Sequence, residues 1–237
     1  MFKSTSMTFK AASVAVLFAG AFALQRTAHS SEEAVKIPPP AHDETAGTTH
    51  TETAVFAGGC FWGVQGVFQH VRGVKEVMSG YAGGAANTAQ YDRVSEGDTG
   101  HAESVRITYD PAQVSYGRLL QIFFSVAHNP TELNYQGPDH GTQYRSAVFP
   151  TNTAQRNIAN AYIAQLDKAH VYGGKIVTKI EDYRGFYPAE GYHQNYLTEH
   201  PESPYIAFND LPKVANLKQM FPDVYRQDAV LVTVASR

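Results

Sequence analysis

The sequence is poor in thiols: of 237 residues, Cys60 alone is a cysteine. No disulfide can close within the chain, and the zinc frameworks built on paired thiolates are excluded with it. Excess positive charge is missing too. Nineteen Lys and Arg stand against 22 Asp and Glu, a net charge of −3, so there is no basic footprint for nucleic acid. His128, His140, His193 and His200 form neither an HExxH pair nor a tight cluster, and no metal is expected. Gly and Pro, at 19 and 12 residues, are too few for a collagenous or low-complexity chain. With 43% of residues hydrophobic and 17% charged, what is left is a globular chain long enough to bury a sizeable core.

Long apolar runs are confined to the N-terminus. Residues 1–10 carry Lys3 and Lys10 and no acid, and residues 11–24 are apolar or small throughout. The run is shorter than the ~20 residues of a membrane span. With Ala28 and Ser30 near a cleavage point it reads as a signal peptide over residues 1–30, for a protein exported to the periplasm or secreted. An uncleaved anchor and a transit peptide are the alternatives. Cleavage would remove Lys3, Lys10 and Arg26 and no acid, making the mature chain more acidic and leaving no membrane insertion. Residues 31–52 are polar and acidic and contain Pro38, Pro39 and Pro40. They read as a disordered linker, because consecutive prolines favour an extended chain that packs as neither helix nor strand. Residues 53–225 read as one domain, 226–237 as a C-terminal tail, and the whole as a monomer.

Within the domain, a β-prone run at 53–57 stops at Gly58-Gly59, and Cys60 follows. Phe61, Val64 and Phe68 then recur at helical spacing. Residues 102–109 alternate as a half-buried strand does. Residues 115–127 are an apolar helix behind a serine cap, 146–149 a short strand, Thr151 or Thr153 the start of a helix to about His170, and 175–180 a further strand. The interleaving lacks a strict βαβ rhythm, which favours a two-layer α+β domain.

A thiol directly after two glycines, at the first turn of a helix, lies near unpaired N–H groups and the positive end of the helix dipole. Both favour the thiolate. A buried structural cysteine is the plain alternative. Phe61 and Trp62, the one tryptophan, would wall an apolar recess beside the thiol, suited to a small hydrophobic substituent. Tyr81 in SGYAGG and Tyr144 in GTQYRS are candidate donors. Glu103 in GHAESV would have its pKa raised against such a recess and act as an acid, and Asp139 is placed to serve the same site. His140 or His193 paired with Cys60 would instead make a cysteine hydrolase. A methionine-peptide binding module with an incidental thiol is a third reading.

Five segments, GGCFWG (58–63), SGYAGG (79–84), GHAESVRITYDP (100–111), LNYQGPDHGTQYRS (133–146) and FYPAEGYHQNYL (186–197), stand in an order that resembles the A-class peptide methionine sulfoxide reductases. The resemblance implies a two-layer α/β sandwich with a mixed sheet, related to ferredoxin-like folds. It also implies cofactor-free reduction of methionine-S-sulfoxide, free or in oxidised proteins and peptides, as oxidative-damage repair. Position by position, Cys60 would be the nucleophile, and Phe61 and Trp62 the wall for the substrate methyl, with His193 beside them. Glu103 would protonate the sulfoxide oxygen, Tyr81 and Tyr144 would hold it, and Asp139 would complete the polar side. Many members carry HDP where this chain has His128-Asn129-Pro130, and no role is assigned to Asn129. Many also keep further cysteines near the C-terminus. This chain has none and resembles the one-cysteine members, so a sulfenic acid on Cys60 needs an outside thiol, a thioredoxin-like protein or a small thiol.

Overall fold

A computed structural model describes residue 1, residues 34–44 and residues 51–233; the rest of the expected signal peptide lies outside the described residues. Strand β1 (Glu52–Gly58) ends in the glycine pair and leads into helix α1 (Phe61–Gln69), which returns the chain to β2 (Val74–Ala82). After a short helix α2 (Tyr91–Val94), β3 (Ala102–Tyr109) inserts between β1 and β2, antiparallel to both. Strands β1 and β2 therefore run the same way, and β1-α1-β2 is a split βαβ unit. A two-strand ribbon, β4 (Tyr135–Gln136) and β5 (Asp139–His140), stands apart from the main sheet. Three short strands complete that sheet: β6 (Ser146–Val148) beside β1, β7 (Lys179–Ile180) parallel to β6, and β8 (Phe186–Pro188) on β2. The order β7-β6-β1-β3-β2-β8 makes a mixed six-stranded sheet, in the two-layer α+β arrangement expected.

Strand alternation divides the apolar residues between two faces. Ala54 and Phe56 of β1 join the main core with Phe61, Val64 and Phe68 of α1, Leu119 and Leu120 of α3 (Tyr116–Ile122), and Ile158 and Tyr162 of α4 (Thr153–Ala169). Val55 and Ala57 join a smaller cluster with Ala82, Ala102, Ala147 and Phe149. Both faces are covered where β3 begins, so its first four residues are all buried and the half-buried pattern expected there holds only further along. Ser115 caps α3 by accepting the Arg118 N–H at 3.1 Å. Asn152, rather than a threonine, caps α4 by accepting the Gln155 N–H at 2.9 Å. The strand expected at 175–180 shrinks to two residues, because Val177 turns its N–H to the Pro130 carbonyl at 2.8 Å instead of to the sheet.

The linker expected at 31–52 is corrected over residues 34–44, which lie against the domain. Ile37 is only 5% exposed. Val35 N–H donates to the Ser125 carbonyl at 3.0 Å, Gln121 Nε2 to the Ile37 carbonyl at 3.0 Å, and the Tyr162 hydroxyl to the Pro38 carbonyl at 2.6 Å. An extended proline segment has no internal hydrogen bonds, so its carbonyls are free to accept from helices α3 and α4. At its end Asp43 and Glu44 take the Gly117 and Tyr116 N–H groups at 2.8 and 2.7 Å, two carboxyl groups capping the start of α3, of which burial raises Glu44 to about 7. The C-terminal tail is also docked: Arg226 and Val230 donate to the His70 and Gln69 carbonyls, and Val232 exchanges hydrogen bonds with the Asn195 side chain.

Replacing Ile37 with Ala is expected to lower unfolding free energy by about 2 kcal/mol, the low end for a buried Ile truncated to Ala. Urea denaturation measures it, and a loss below about 0.5 kcal/mol, the usual size of a surface effect, would show that the segment contributes no packing.

Candidate active site

The topology brings four strand ends together. The C-terminal end of β1 delivers Cys60. Gly58 is the register partner of Ser146, so β6 begins beside it and carries Tyr144 two residues upstream. Glu103 is the second residue of β3 and pairs across the ladder with Tyr81 near the end of β2. The turn that presents Cys60 depends on glycine at Gly59, where φ is +86° and a Cβ would lie 2.6 Å from Gln136 Cβ.

Cys60 forms the N-cap of α1 and is 9% exposed. The positional argument for a thiolate is corrected here: burial pushes the thiol well above its ordinary pKa, the carboxyls of Glu103, Asp210 and Asp139 push the same way, and only the Trp62 backbone N–H opposes them. The dipole of a nine-residue helix is outweighed by desolvation. Cys60 rests as a thiol.

Glu103 is 4% exposed, and its Oε2 accepts the Phe61 backbone N–H at 3.0 Å. Burial dominates this bond and pushes the carboxyl up to about 8. At neutral pH Glu103 therefore holds a proton, as expected of an acid facing an apolar recess. Asp139 is raised as well, chiefly by burial, although the Tyr205 hydroxyl donates to it.

The phenols are rearranged relative to the sequence expectation. Tyr81 is fully buried, and its hydroxyl is committed to Glu190 Oε2 at 2.8 Å. Glu190 Oε1 also accepts the Tyr91 N–H at 3.0 Å, so Tyr81 acts through Glu190 to hold α2 in place. Tyr91 is the phenol that reasoning from the sequence missed. Burial raises its phenol above the ordinary range, and it lies close enough to Glu103, Cys60 and Asp139 for their ionisation to raise it further, as it would that of Tyr144. Among the described residues neither hydroxyl has a protein hydrogen-bond partner, so both are open to a bound oxygen. Tyr91 opens α2 within a polar segment between Gly84 and Gly97, and no local pattern marks it above the other tyrosines.

Phe61, Trp62 and His193 pack together. Phe61 packs 5.0 Å from the His193 ring, and Trp62 stacks on Tyr196 at 3.9 Å and meets Tyr205 edge-on at 5.9 Å. Trp62 Nε1 donates to His193 Nδ1 at 3.2 Å. That bond occupies the nitrogen a hydrolase would need, burial holds the imidazole below its usual pKa, and its Nε2 is buried without a partner. His140 is exposed and stacks on Tyr135. No histidine hydrogen-bonds Cys60 among the described residues, and the hydrolase reading lapses.

Supporting contacts hold these groups. Arg145 makes a two-point pair with Glu181 at 2.7 and 2.9 Å and donates to the Gly100, His101 and Thr142 carbonyls, which pins the segment bearing Tyr144. Gln194 bridges Ser79 and Gln65 and so ties His193 to β2 and α1. Asn129, without an expected role, shapes the turn before β4: its Oδ1 accepts from Thr131, and its backbone carbonyl and N–H both bond Gln136. Asp210, also missed, is fully buried against Gly63, where a Cβ would stand 2.1 Å from its Oδ1.

A family model described as peptide methionine sulfoxide reductase matches residues 52–224. A peptide methionine sulfoxide reductase MsrA 2 of Mesorhizobium japonicum is 64% identical over 186 residues, which are 78% of this chain and 95% of the relative. One of Synechocystis, of the same description, is 54% identical over 173 residues, 73% of this chain and 81% of the relative. Among solved structures, reduced Mxr1 from Saccharomyces cerevisiae superposes with a TM-score of 0.58 at 33% identity, covering 67% of this chain and 91% of that one. Methionine sulfoxide reductase A of Corynebacterium diphtheriae gives 0.55 at 32% identity, covering 73% and 89%.

A carboxyl whose folded pKa is about 8 against an ordinary 4.5 leaves stability intact below pH 4.5 and removes it as pH rises from there to about 8. Thermal melts from pH 5 to 8 are expected to show wild-type Tm falling relative to Glu103→Gln; parallel curves would mean that Glu103 ionises freely in the fold. Gly63→Ala is expected to destabilise by at least about 1–3 kcal/mol through its clash with Asp210, as read by chemical denaturation.

Proposed function

The chain belongs to the peptide methionine sulfoxide reductase family, and on that premise we propose that Cys60, Glu103 and the Phe61–Trp62 recess carry its catalysis. The protein is an oxidoreductase that reduces methionine sulfoxide to methionine at the expense of thiols. The observation that carries the residue assignment is the protonated, buried Glu103 carboxyl beside a buried thiol, with two phenols open to a ligand oxygen.

The steps follow from the groups present. The substrate methyl lies against Phe61 and Trp62, and the sulfoxide oxygen points to Glu103, Tyr91 and Tyr144. Transfer of the Glu103 proton to that oxygen makes a hydroxysulfonium whose sulfur is electron-poor. The carboxylate left behind takes the Cys60 proton, so the site's net charge is unchanged and the thiolate forms only when its target is ready. Attack at sulfur moves the OH to Cys60, and the products are methionine and a cysteine sulfenic acid, the reversible first stage of thiol oxidation. Fixed donors on one side and an aromatic wall on the other admit one epimer, the S-form. With no second cysteine in the chain, the sulfenic acid is returned to thiol by an outside reductant, a thioredoxin-like protein or a small thiol. The basic, then apolar, N-terminal leader supports export of the protein, and a purified N-terminus near Ser31 would establish cleavage.

With dithiothreitol as donor, the protein is expected to consume about half of a racemic methionine sulfoxide peptide, and Cys60→Ser none. Activity surviving in Cys60→Ser would overturn the assignment. Without reductant, intact mass should show one added oxygen on Cys60. The single-turnover rate should decline as pH rises through about 8, and Glu103→Gln should lose at least about a hundredfold, as removal of a general acid does. Tyr91→Phe should cost about tenfold or more and Tyr81→Phe less, since of these two it is Tyr91 whose hydroxyl is open to substrate, that of Tyr81 being held by Glu190.

A further inference from the structure

Restoring the thiol has its own chemical requirement, and this argument rests on the reductase reading above. An incoming thiolate forms an S–S bond to Cys60 and breaks the S–O bond, and the oxygen must gain a proton to depart as water. Displacement at sulfur is in line, so the oxygen leaves on the side away from the incoming thiol. Once methionine has gone, the recess walled by Phe61 and Trp62 is open to that thiol.

Cys60 also borders a second opening, on the side of Lys213. A narrow cleft, with room for about one water, is closed by Gln136, Pro138, Asp139, Tyr205, Asn209 and Lys213; it shares Asp139 with the polar side of the substrate site and includes neither Phe61, Trp62 nor Glu103 in its lining. Lys213 lies in the first turn of α6 (Leu211–Met220), is 6% exposed, and has its Nζ 3.6 Å from Asp210 Oδ1. Asp210 is fully buried, neither of its oxygens has a close hydrogen-bond partner, and burial raises it to about 6 against the pull of Lys213. Lysine is rarely buried this deeply, and a buried ion pair is a weak source of stability. Packing alone gives little reason for a lysine ammonium to line the same cleft as the only thiol.

We propose that Lys213 is the acid of the recycling half-reaction, and that Asp210 positions it. The thiolate attacks the Cys60 sulfenic acid, the oxygen leaves into the cleft with a proton from the Lys213 ammonium, and the products are water, a Cys60 mixed disulfide and a neutral amine. Solvent reprotonates the amine. A second thiol then displaces Cys60 as the free thiol and carries the other sulfur away as a disulfide, so the two electrons come from two thiols. Glu103 serves sulfoxide reduction from the recess side and Lys213 serves thiol attack from the cleft side. The two halves of the cycle thus use different acids on different faces of one sulfur.

The test separates the halves in the full chain. Enzyme is mixed with methionine-S-sulfoxide without thiol and methionine is counted; dithiothreitol is then added and loss of the added oxygen is followed by intact mass. Lys213→Met is expected to retain about one methionine per enzyme and lose at least about tenfold in the dithiothreitol step. Lys213→Arg, which keeps the charge, should recover to within about threefold. If Lys213→Met fails to fold, the double variant Lys213→Gln with Asp210→Asn removes both charges at nearly constant volume and carries the same expectation. An unchanged dithiothreitol step, an equal loss in both halves, or no recovery with Arg would overturn the proposal. Absence of the methionine burst and of the added oxygen in wild type would instead overturn the reductase reading itself.

Discussion

The site depends on a carboxyl group held out of water. Glu103 is buried at the start of β3, and among the described residues one backbone N–H, that of Phe61, is its hydrogen-bond partner. A single neutral donor does not compensate the desolvation of a carboxylate, so the group keeps its proton and a dry, acidic corner exists beside Cys60. The same burial raises the thiol. In the proposed mechanism both groups wait in their neutral forms and become reactive when one proton moves onto a substrate oxygen. The glycine turn at Gly59, the close packing of Gly63 on Asp210 and the cover over both sheet faces all serve to keep that corner free of water.

Around it, the fold uses hydrogen-bonded struts to hold segments that have little regular structure. Glu190 joins Tyr81 of β2 to the start of α2, which sets Tyr91; Arg145 with Glu181 fixes the approach to β6, which sets Tyr144; Gln194 ties the His193 segment to α1 and β2. The N-terminal segment 34–44 and the tail to Val232 brace the helical layer from outside. Active groups supplied by loops are thereby placed with the precision of the sheet that anchors them.

Much of this was legible in the chain. Cys60, Phe61 and Trp62 are adjacent, and a glycine pair before an amphipathic helix announces their geometry locally. Glu103 was readable because β3 is a strong strand and the residue falls at its start. Asp139 and Tyr144 sit in one short motif. Tyr81 and Tyr91 were not separable, because both are tyrosines in glycine-bounded segments, and which hydroxyl is free depends on Glu190, about a hundred residues further along. Asp210 and Lys213 belong to a C-terminal helix start whose packing under α1 no local pattern reveals.

By itself the sequence determined the reaction class and pointed to Cys60 as the nucleophile and to an outside thiol, because these follow from residue types, their order along the chain and a count of cysteines. Tertiary structure decided protonation and access. It made Cys60 a resting thiol rather than a thiolate, committed the Tyr81 hydroxyl to Glu190 while leaving that of Tyr91 open, and drew a proline-rich segment onto the domain. Those outcomes are set by burial and by partners distant in sequence, and neither exists until the strands and helices have packed.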